Sequence, residues 1–372
     1  MDMTPDPALH DRAKLLSAWE ELARDTAEPN CFYAPEMLLP ALQHLAGGQD
    51  VRLIEAWREG LLIGLFPVTI APRHGRFPIR NVTNWVHRHC FFGAPLIRRG
   101  HEADAWNQFL STLDAAEWAP GFLHLIALDE DGANAVTLHE LCGRQGRGLR
   151  RVHRYERALL QSELSADAYW ESNVRAKKRK EIRRLQKRLR EMGELKGSML
   201  ADAADLERWC DDFLRLEKAG WKGAEGTAMA CTAEDATFFR DSAAAAFANG
   251  RLMFLRLDLD GRPIAMLVNF RMGEGGFSFK IAFDEAMSRF SPGVLIELDN
   301  LARILDGSET AWMDSCAAPG HPMIDSLWAE RRSIVQYRIE LKGRMRRLPW
   351  AAMRVADSLT ARLLTYFREQ RT

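Results

Sequence analysis

GGFSFKIAFDEAMSRFSPGVLIELDNLARILDGSETAWMDSC, Gly275 to Cys316, reads as a strand, a helix start suited to an anion, and a second strand. Phe277, Phe279, Ile281 and Phe283 alternate with Ser278, Lys280, Ala282 and Asp284, the period of a strand with one apolar face. Ser291-Pro292-Gly293 then supplies an N-cap hydroxyl, a proline fit for the first helical position and an uncovered glycine backbone. Val294, Leu295, Leu298, Leu301, Ala302 and Leu305 follow at helical spacing. Val294 stands where a capping-box glutamate would stand, and Arg289 lies just upstream, so the first-turn amides of Ser291, Gly293, Val294 and Leu295 are expected to be open to a phosphate or pyrophosphate. An ordinary strand–loop–helix connection with a Ser/Pro start gives the same local pattern.

Outward from this stretch, two parts of the chain repeat one plan. Val51 to Trp57 and Leu61 to Val68 flank Arg58-Glu59-Gly60, and Leu252 to Asp258 and Ile264 to Phe270 flank Leu259-Asp260-Gly261. Helical patterns precede each hairpin, at Lys14 to Arg24 and Pro35 to Leu45, then at Ala168 to Met192 and Ala204 to Leu216. Either a duplication or two unrelated hairpins fits this spacing. A boundary is expected near Arg150, after the run Gly143 to Gly148, giving lobes 1–150 and 151–348. Residues 349–372, with Met353, Val355, Leu359, Leu363, Leu364 and Phe367, read as a terminal amphipathic helix.

Composition excludes several classes. The 372 residues exceed one average domain, and 51 basic against 51 acidic side chains leave no bulk charge for a polyanion binder. Cys31, Cys90, Cys142, Cys210, Cys231 and Cys316 show neither CxxC spacing nor a companion histidine cluster, against zinc sites and a disulfide framework. Met1 to Ala18 lacks the apolar segment of a signal peptide, and no run is long enough for a membrane span. A reduced, cytoplasmic setting is expected.

Charge is instead concentrated between Arg175 and Arg190, where Glu181 is the only acid. Ile182, Leu185, Leu189 and Met192 give that helix a narrow apolar stripe and a broad basic face. The face suits a sugar phosphate, a lipid-linked pyrophosphate, the phosphates of a nucleotide or tRNA, or the anionic inner face of a membrane; it also suits plain solvation. Lys178, Arg179 and Arg183 are the candidates on it. Trp221 and Lys222, between Gly220 and Gly223, form a platform for a sugar ring, a gate over a pocket or a core closure. Trp328, Arg331 and Arg332 are expected on a helix from Met323 to Val335, where an arginine reaches a phosphate, a carboxylate or an internal salt-bridge partner.

Trp170, the basic run, Gly220-Trp221-Lys222-Gly223, Asp260 to Ala265, Phe283-Asp284-Glu285, Ser291-Pro292-Gly293, Asp314 and Trp328 to Arg332 occur in an order that resembles the CelD/BcsL-type acyltransferases. These are a branch of the GNAT superfamily related to the FemAB proteins, and the resemblance covers Leu164 to Leu341 well. It implies an α/β (α+β) fold of tandem GNAT-like units, each a mixed, mostly antiparallel sheet flanked by helices. It further implies acetyl-CoA or another acyl-CoA as co-substrate, lying between splayed central strands at Gly275 to Asp284 and Thr310 to Cys316. Asp284 and Asp314, at the ends of those strands, become the candidate bases, with loop capping as their alternative role. Lys280 shares a face with Asp284 and suits an ion pair, an anionic acceptor or solvent. The run Arg289-Phe290-Ser291-Pro292-Gly293-Val294 lacks the glycine pair usual in acetyltransferase pyrophosphate loops. The acceptor implied is an amino group on a sugar or exopolysaccharide precursor. The FemAB relation implies the rival donor, an aminoacyl-tRNA, and a non-catalytic anion-binding regulator is the third reading.

Overall fold

The computed structural model describes residues 7–343, 346–353 and 355. In chain order the elements are α1 (Pro7–Arg24), α2 (Pro35–His44), β1 (Arg52–Arg58), β2 (Leu61–Ala71), β3 (Asn81–Asn84), β4 (Leu96–Ile97), α3 (Glu102–Ala115), β5 (Phe122–Asp129), α4 (Ala133–Arg144) and β6 (Leu149–Leu160). Then follow α5 (Ala166–Asn173), α6 (Ala176–Arg190), β7 (Leu195–Met199), α7 (Ala203–Ala219), α8 (Trp221–Ala224), α9 (Ala233–Ala248), β8 (Leu252–Leu259), β9 (Arg262–Met272), β10 (Gly275–Phe283), α10 (Pro292–Leu305), β11 (Trp312–Asp314) and β12 (Glu330–Glu340).

Described residues up to Gly47, with Tyr155–Ile334, form one compact unit; Gly48–Arg154, with the described residues from Val335 on, form the other. The division expected near Arg150 did not anticipate that α1 and α2 join the unit built from the second half. There α2 packs along α9, and the buried Glu36 receives Arg251 at 3.0 Å.

Each unit contains the same chain path. In one, β1 and β2 form a hairpin, β3 adds antiparallel to β2, and after α3 the chain returns as β5, parallel to β3. In the other, β8, β9 and β10 form the antiparallel meander, α10 follows, and β11 returns parallel to β10. Both hairpins close on two residues in the left-handed region, Glu59-Gly60 and Asp260-Gly261, with φ of 52° and 80° in the first and 50° and 76° in the second. That backbone matches the right-handed twist of the strands it joins. The fold is therefore a tandem α/β arrangement of GNAT-like units, each a mixed sheet flanked by helices.

In the unit that carries the candidate residues, strand order is β6-β11-β10-β9-β8-β7. One core joins Tyr169, Ile182, Leu189, Leu255, Leu267, Ile296, Leu301, Ile304, Met313 and Trp328. The apolar stripe of α6 contributes Ile182 and Leu189 to this core, while Met192, at its C-terminal end, is 44% exposed. The helical reading of Ala168 to Met192 is interrupted between α5 and α6, where Val174 and Arg175 adopt extended or non-helical backbone.

The helix expected from Met323 to Val335 is not formed. A short 3₁₀ turn at Ile324–Ser326 leads into β12 instead. Ser333-Ile334-Val335-Gln336-Tyr337 is rich in β-branched and aromatic side chains, which sit better on a pleated strand than against a helical turn. Residues 347–353 are helical, and the rest of the terminal helix expected at 349–372 lies outside the described residues apart from Val355. Among the described residues no helix is long and apolar enough to cross a membrane, and no cluster of His, Cys, Asp or Glu has the arrangement of a metal site.

Candidate functional site

The parallel pairing of β10 with β11 runs from Gly275↔Trp312 to Phe277↔Asp314 and stops. Beyond it, β10 stays with β9 as far as Phe283↔Ala265, whereas β11 stays with β6 through Asp314↔Leu159, and the Ser315 amide donates to the Ala158 carbonyl. The two strands part because each follows its other neighbour. A bulge between Ser278 and Lys280 falls at the start of the stretch of β10 that has lost its β11 partner. Bulges re-aim the backbone and end pairing, so this one sits where the separation needs it.

Asp284 ends the strand as a cap. Its carboxylate accepts from the Ala286 amide at 3.0 Å and from Arg262 at 3.0 Å. A 3₁₀ turn, Glu285–Phe290, leads to Ser291, whose φ of 54° and ψ of 52° put it in the left-handed region ahead of α10. Ser291 makes no side-chain cap bond, contrary to its expected role. Its amide donates to Ser288, and the amides of Val294 and Leu295 donate back to the Ser291 carbonyl. The expected cradle is thereby reduced. Pro292 has no N–H, and Gly293 is left with the one first-turn amide that has no acceptor among the described residues. A Cβ on Gly293 would lie 3.4 Å from Phe283, 3.6 Å from Ile281 and 3.7 Å from the Met323 sulfur, so the start of α10 stands over the free part of β10. Arg289 is exposed, its guanidinium 4.8 Å from the ring of Phe290.

The two expected bases have other partners. Asp314 is fully buried, takes Arg157 at 2.6 Å and Arg332 at 3.1 Å, and accepts from the Cys316 amide at 2.9 Å. Burial pushes its carboxyl up, but Arg157 and then Arg332 outweigh burial and hold it below the usual carboxylate range. Such a group is a poor proton acceptor. Arg332 also reaches Glu28 at 3.5 Å and stacks over Trp312 at 4.9 Å, so the guanidinium expected to meet a substrate is built into this buried ion cluster.

A carboxyl that sequence reasoning passed over fits proton transfer better. Glu297 lies on the inner face of α10, one turn after Gly293, and is 3% exposed. Burial raises its pKa from 4.5 to about 7, opposed only by the hydrogen bond from the Asn300 amide group at 3.1 Å. Asn300 also accepts from Asn269 and approaches the Met313 sulfur, and Asn269 is paired to Ser278 across the sheet. Glu297 therefore lies between Gly293, which stands against Ile281 and Phe283, and Asn300, which stands against the last paired residues. The signal available in the sequence was a glutamate and an asparagine among the apolar positions of α10.

On β10 itself, Lys280 is largely buried, and burial lowers its pKa, countered by Glu217. Glu217 on α7 is nearly inaccessible. It accepts from Lys222 at 3.2 Å and from the Met229 amide at 2.8 Å, with Lys280 at 3.9 Å. Lys222 also donates to the Ile281 carbonyl at 2.9 Å, and the Trp221 amide is held by Glu285 at 2.5 Å. Trp221 is 52% exposed beside this cluster, so it does not close a core. Trp328 is the reverse, fully buried.

On the basic helix, Arg179 and Arg183 both pair with Glu171, at 2.7 and 2.6 Å, and Arg179 also donates to the Glu171 and Val174 carbonyls. Arg179 thus fastens α5 to α6. Lys178 bonds to Ser326.

Residues 176–327 match the family model described as acetyltransferase (GNAT) domain. No curated protein matches the chain in sequence. Among solved structures the chain is similar to FemX at 10% identity and a TM-score of 0.58, covering 87% of this chain and 95% of that one. It is similar to a conserved protein of unknown function from Bacteroides thetaiotaomicron at 12% identity and 0.53, covering 92% and 100%. It is also similar to L-PGS from Bacillus licheniformis at 11% identity and 0.51, covering 95% and 98%. At these identities the likeness is one of fold.

Proposed function

We propose that the protein is an acyl-CoA-dependent N-acyltransferase that acetylates, or otherwise acylates, an amino group of a sugar or exopolysaccharide precursor. The observation that carries this reading is the parting of β10 from β11 after Phe277↔Asp314, beneath the bare Gly293 at the start of α10. The free length of β10 offers backbone groups to the amide-bearing arm of the donor, and the Gly293 amide with the positive end of α10 meets its pyrophosphate. The donor supplies an activated thioester.

Of the chain's own groups, Glu297 is the proton acceptor for the attacking ammonium. A carboxyl with a pKa of about 7 is ionised in a substantial fraction at neutral pH and still basic enough to take a proton. Lys222 and Lys280 orient an electronegative group of the acceptor, with exposed Trp221 as the surface on which a sugar ring rests. Attack on the thioester is direct. Asp314 acts here as the counter-charge that keeps Arg157 and Arg332 in place.

Calorimetric titration of acetyl-CoA tests the donor. Wild type and Gly293→Ala should bind alike, because the added methyl finds only ordinary contacts, and Gly293→Glu should lose binding with its circular dichroism unchanged. Equal binding by all forms, or by none, would contradict the reading.

The rival is a FemAB-like transferase that takes its acyl group from an aminoacyl-tRNA. It is favoured by one observation, that Lys180, Arg184, Lys187 and Arg188 of α6 make no salt bridge among the described residues. Activity abolished by ribonuclease would establish it in place of acyl-CoA transfer.

A further inference from the structure

A cavity of about 650 Å³ opens at the start of α6, lined on one side by Arg175, Lys177 and Lys178 and on the other by Pro322 and by Asp325 to Ala329. Several features of it point to an anion. Helix α6 has no acidic residue in its first turn and no side-chain cap, and the amides of Ala176, Lys177 and Lys178 have no acceptor among the described residues. Arg175 and Lys177 are exposed and make no salt bridge among the described residues. Of the two lining acids, Asp325 has its counter-charge in Arg331, 4.0 Å away, which leaves Glu181 against three cations. Trp328, which lines the cavity and is fully buried, has an indole N–H without an acceptor among the described residues. A buried donor left unpaired is costly, and Trp328 carries that cost in the wall of the cavity.

The start of α10 offers less than the sequence implies, one amide without an acceptor among the described residues and Arg289 upstream of it. The start of α6 offers more. The two are linked by one segment, since Met323 lies against Gly293 while Pro322, Asp325 and Ser326 line the cavity.

We infer that this cavity is the binding site for a phosphate or pyrophosphate group of a small-molecule substrate, held by Arg175, Lys177, Lys178 and the first-turn amides of α6. Its assignment to a substrate rests on the acyl-transfer reading; the binding of phosphate there does not. Two sources share this chemistry, the 3′-phosphate of the donor's nucleotide and the diphosphate of a nucleotide-activated or lipid-linked sugar acceptor.

Calorimetry with inorganic pyrophosphate, CoA, 3′-dephospho-CoA and uridine diphosphate, on wild type and on an Arg175→Gln, Lys177→Gln double variant, tests it. Both side chains are exposed, so the variant should keep its fold. Pyrophosphate should bind wild type at least tenfold more tightly than the double variant and be held normally by Gly293→Glu. If CoA also weakens tenfold while 3′-dephospho-CoA binds both forms alike, the phosphate is the donor's. If CoA is unchanged and uridine diphosphate is lost, it is the acceptor's. Equal affinity of wild type and double variant for every one of these probes overturns the proposal, whatever Gly293→Glu does to acetyl-CoA.

Discussion

Replacing Glu297 by glutamine should change how stability depends on pH. In the folded protein the carboxyl is raised from 4.5 to about 7 because it is buried and, among the described residues, only the Asn300 amide supports its charge. The folded state therefore holds this proton more tightly than the unfolded chain. Below pH 4.5 both states are protonated and the full contribution is present; as pH rises to about 7 the unfolded chain releases its proton first, and stability falls. At roughly 1.4 kcal/mol per tenfold change in proton affinity, the loss is about 3 kcal/mol by pH 8. Glutamine keeps an oxygen for Asn300 to donate to and has no charge to bury. Urea unfolding at a series of pH values from 5 to 8 should show wild type losing on the order of 2–3 kcal/mol relative to Glu297→Gln across that range, with equal m-values. Parallel pH profiles for the two proteins would show that Glu297 titrates as an ordinary carboxyl and would remove the reason for making it the proton acceptor.

Asp314→Asn should cost about 3–5 kcal/mol in urea or thermal unfolding, because Arg157 and Arg332 stay buried without its charge; a loss of activity with unchanged stability would instead make Asp314 a reacting group. Gly223→Ala should destabilise by on the order of 1–3 kcal/mol, since the methyl would sit 1.8 Å from the Lys218 carbonyl oxygen, and it should raise the acceptor's KM by displacing Trp221 and Lys222. In thiol titration of the native protein Cys231, which is exposed, should react fast. Cys142 and Cys210, which burial pushes up to about 11 and about 12, should react only on unfolding.

The hairpins and the β10–α10 passage were legible because their signals are local: alternation with period two, Glu-Gly and Asp-Gly turns, and a Ser-Pro-Gly helix start. The parting of β10 from β11 was not written in either strand, since it follows from which neighbour each keeps, and it entered the sequence reading only through family resemblance. The open amides expected at Ser291, Val294 and Leu295 failed for a reason invisible at that level. Ser291 takes a left-handed backbone, which turns its own carbonyl toward the amides that follow. Asp314 looked like a strand-end base because Arg157 and Arg332 are distant in sequence and meet it only through pairing in the sheet. Glu297 was hidden by the opposite effect, an acid buried with no partner charge among the described residues. The grouping of α1 and α2 with the second half depends on α2 meeting α9, a contact that no local pattern announces.

The central claim is that the unpaired stretch of β10 receives the donor, and backbone hydrogen exchange reads this at the residues concerned. On adding acetyl-CoA, amides within 278–283 and that of Gly293 should gain protection, while those of β8 should be unchanged. Binding of acetyl-CoA with no added protection in β10 or at Gly293 would put the donor elsewhere and contradict the account.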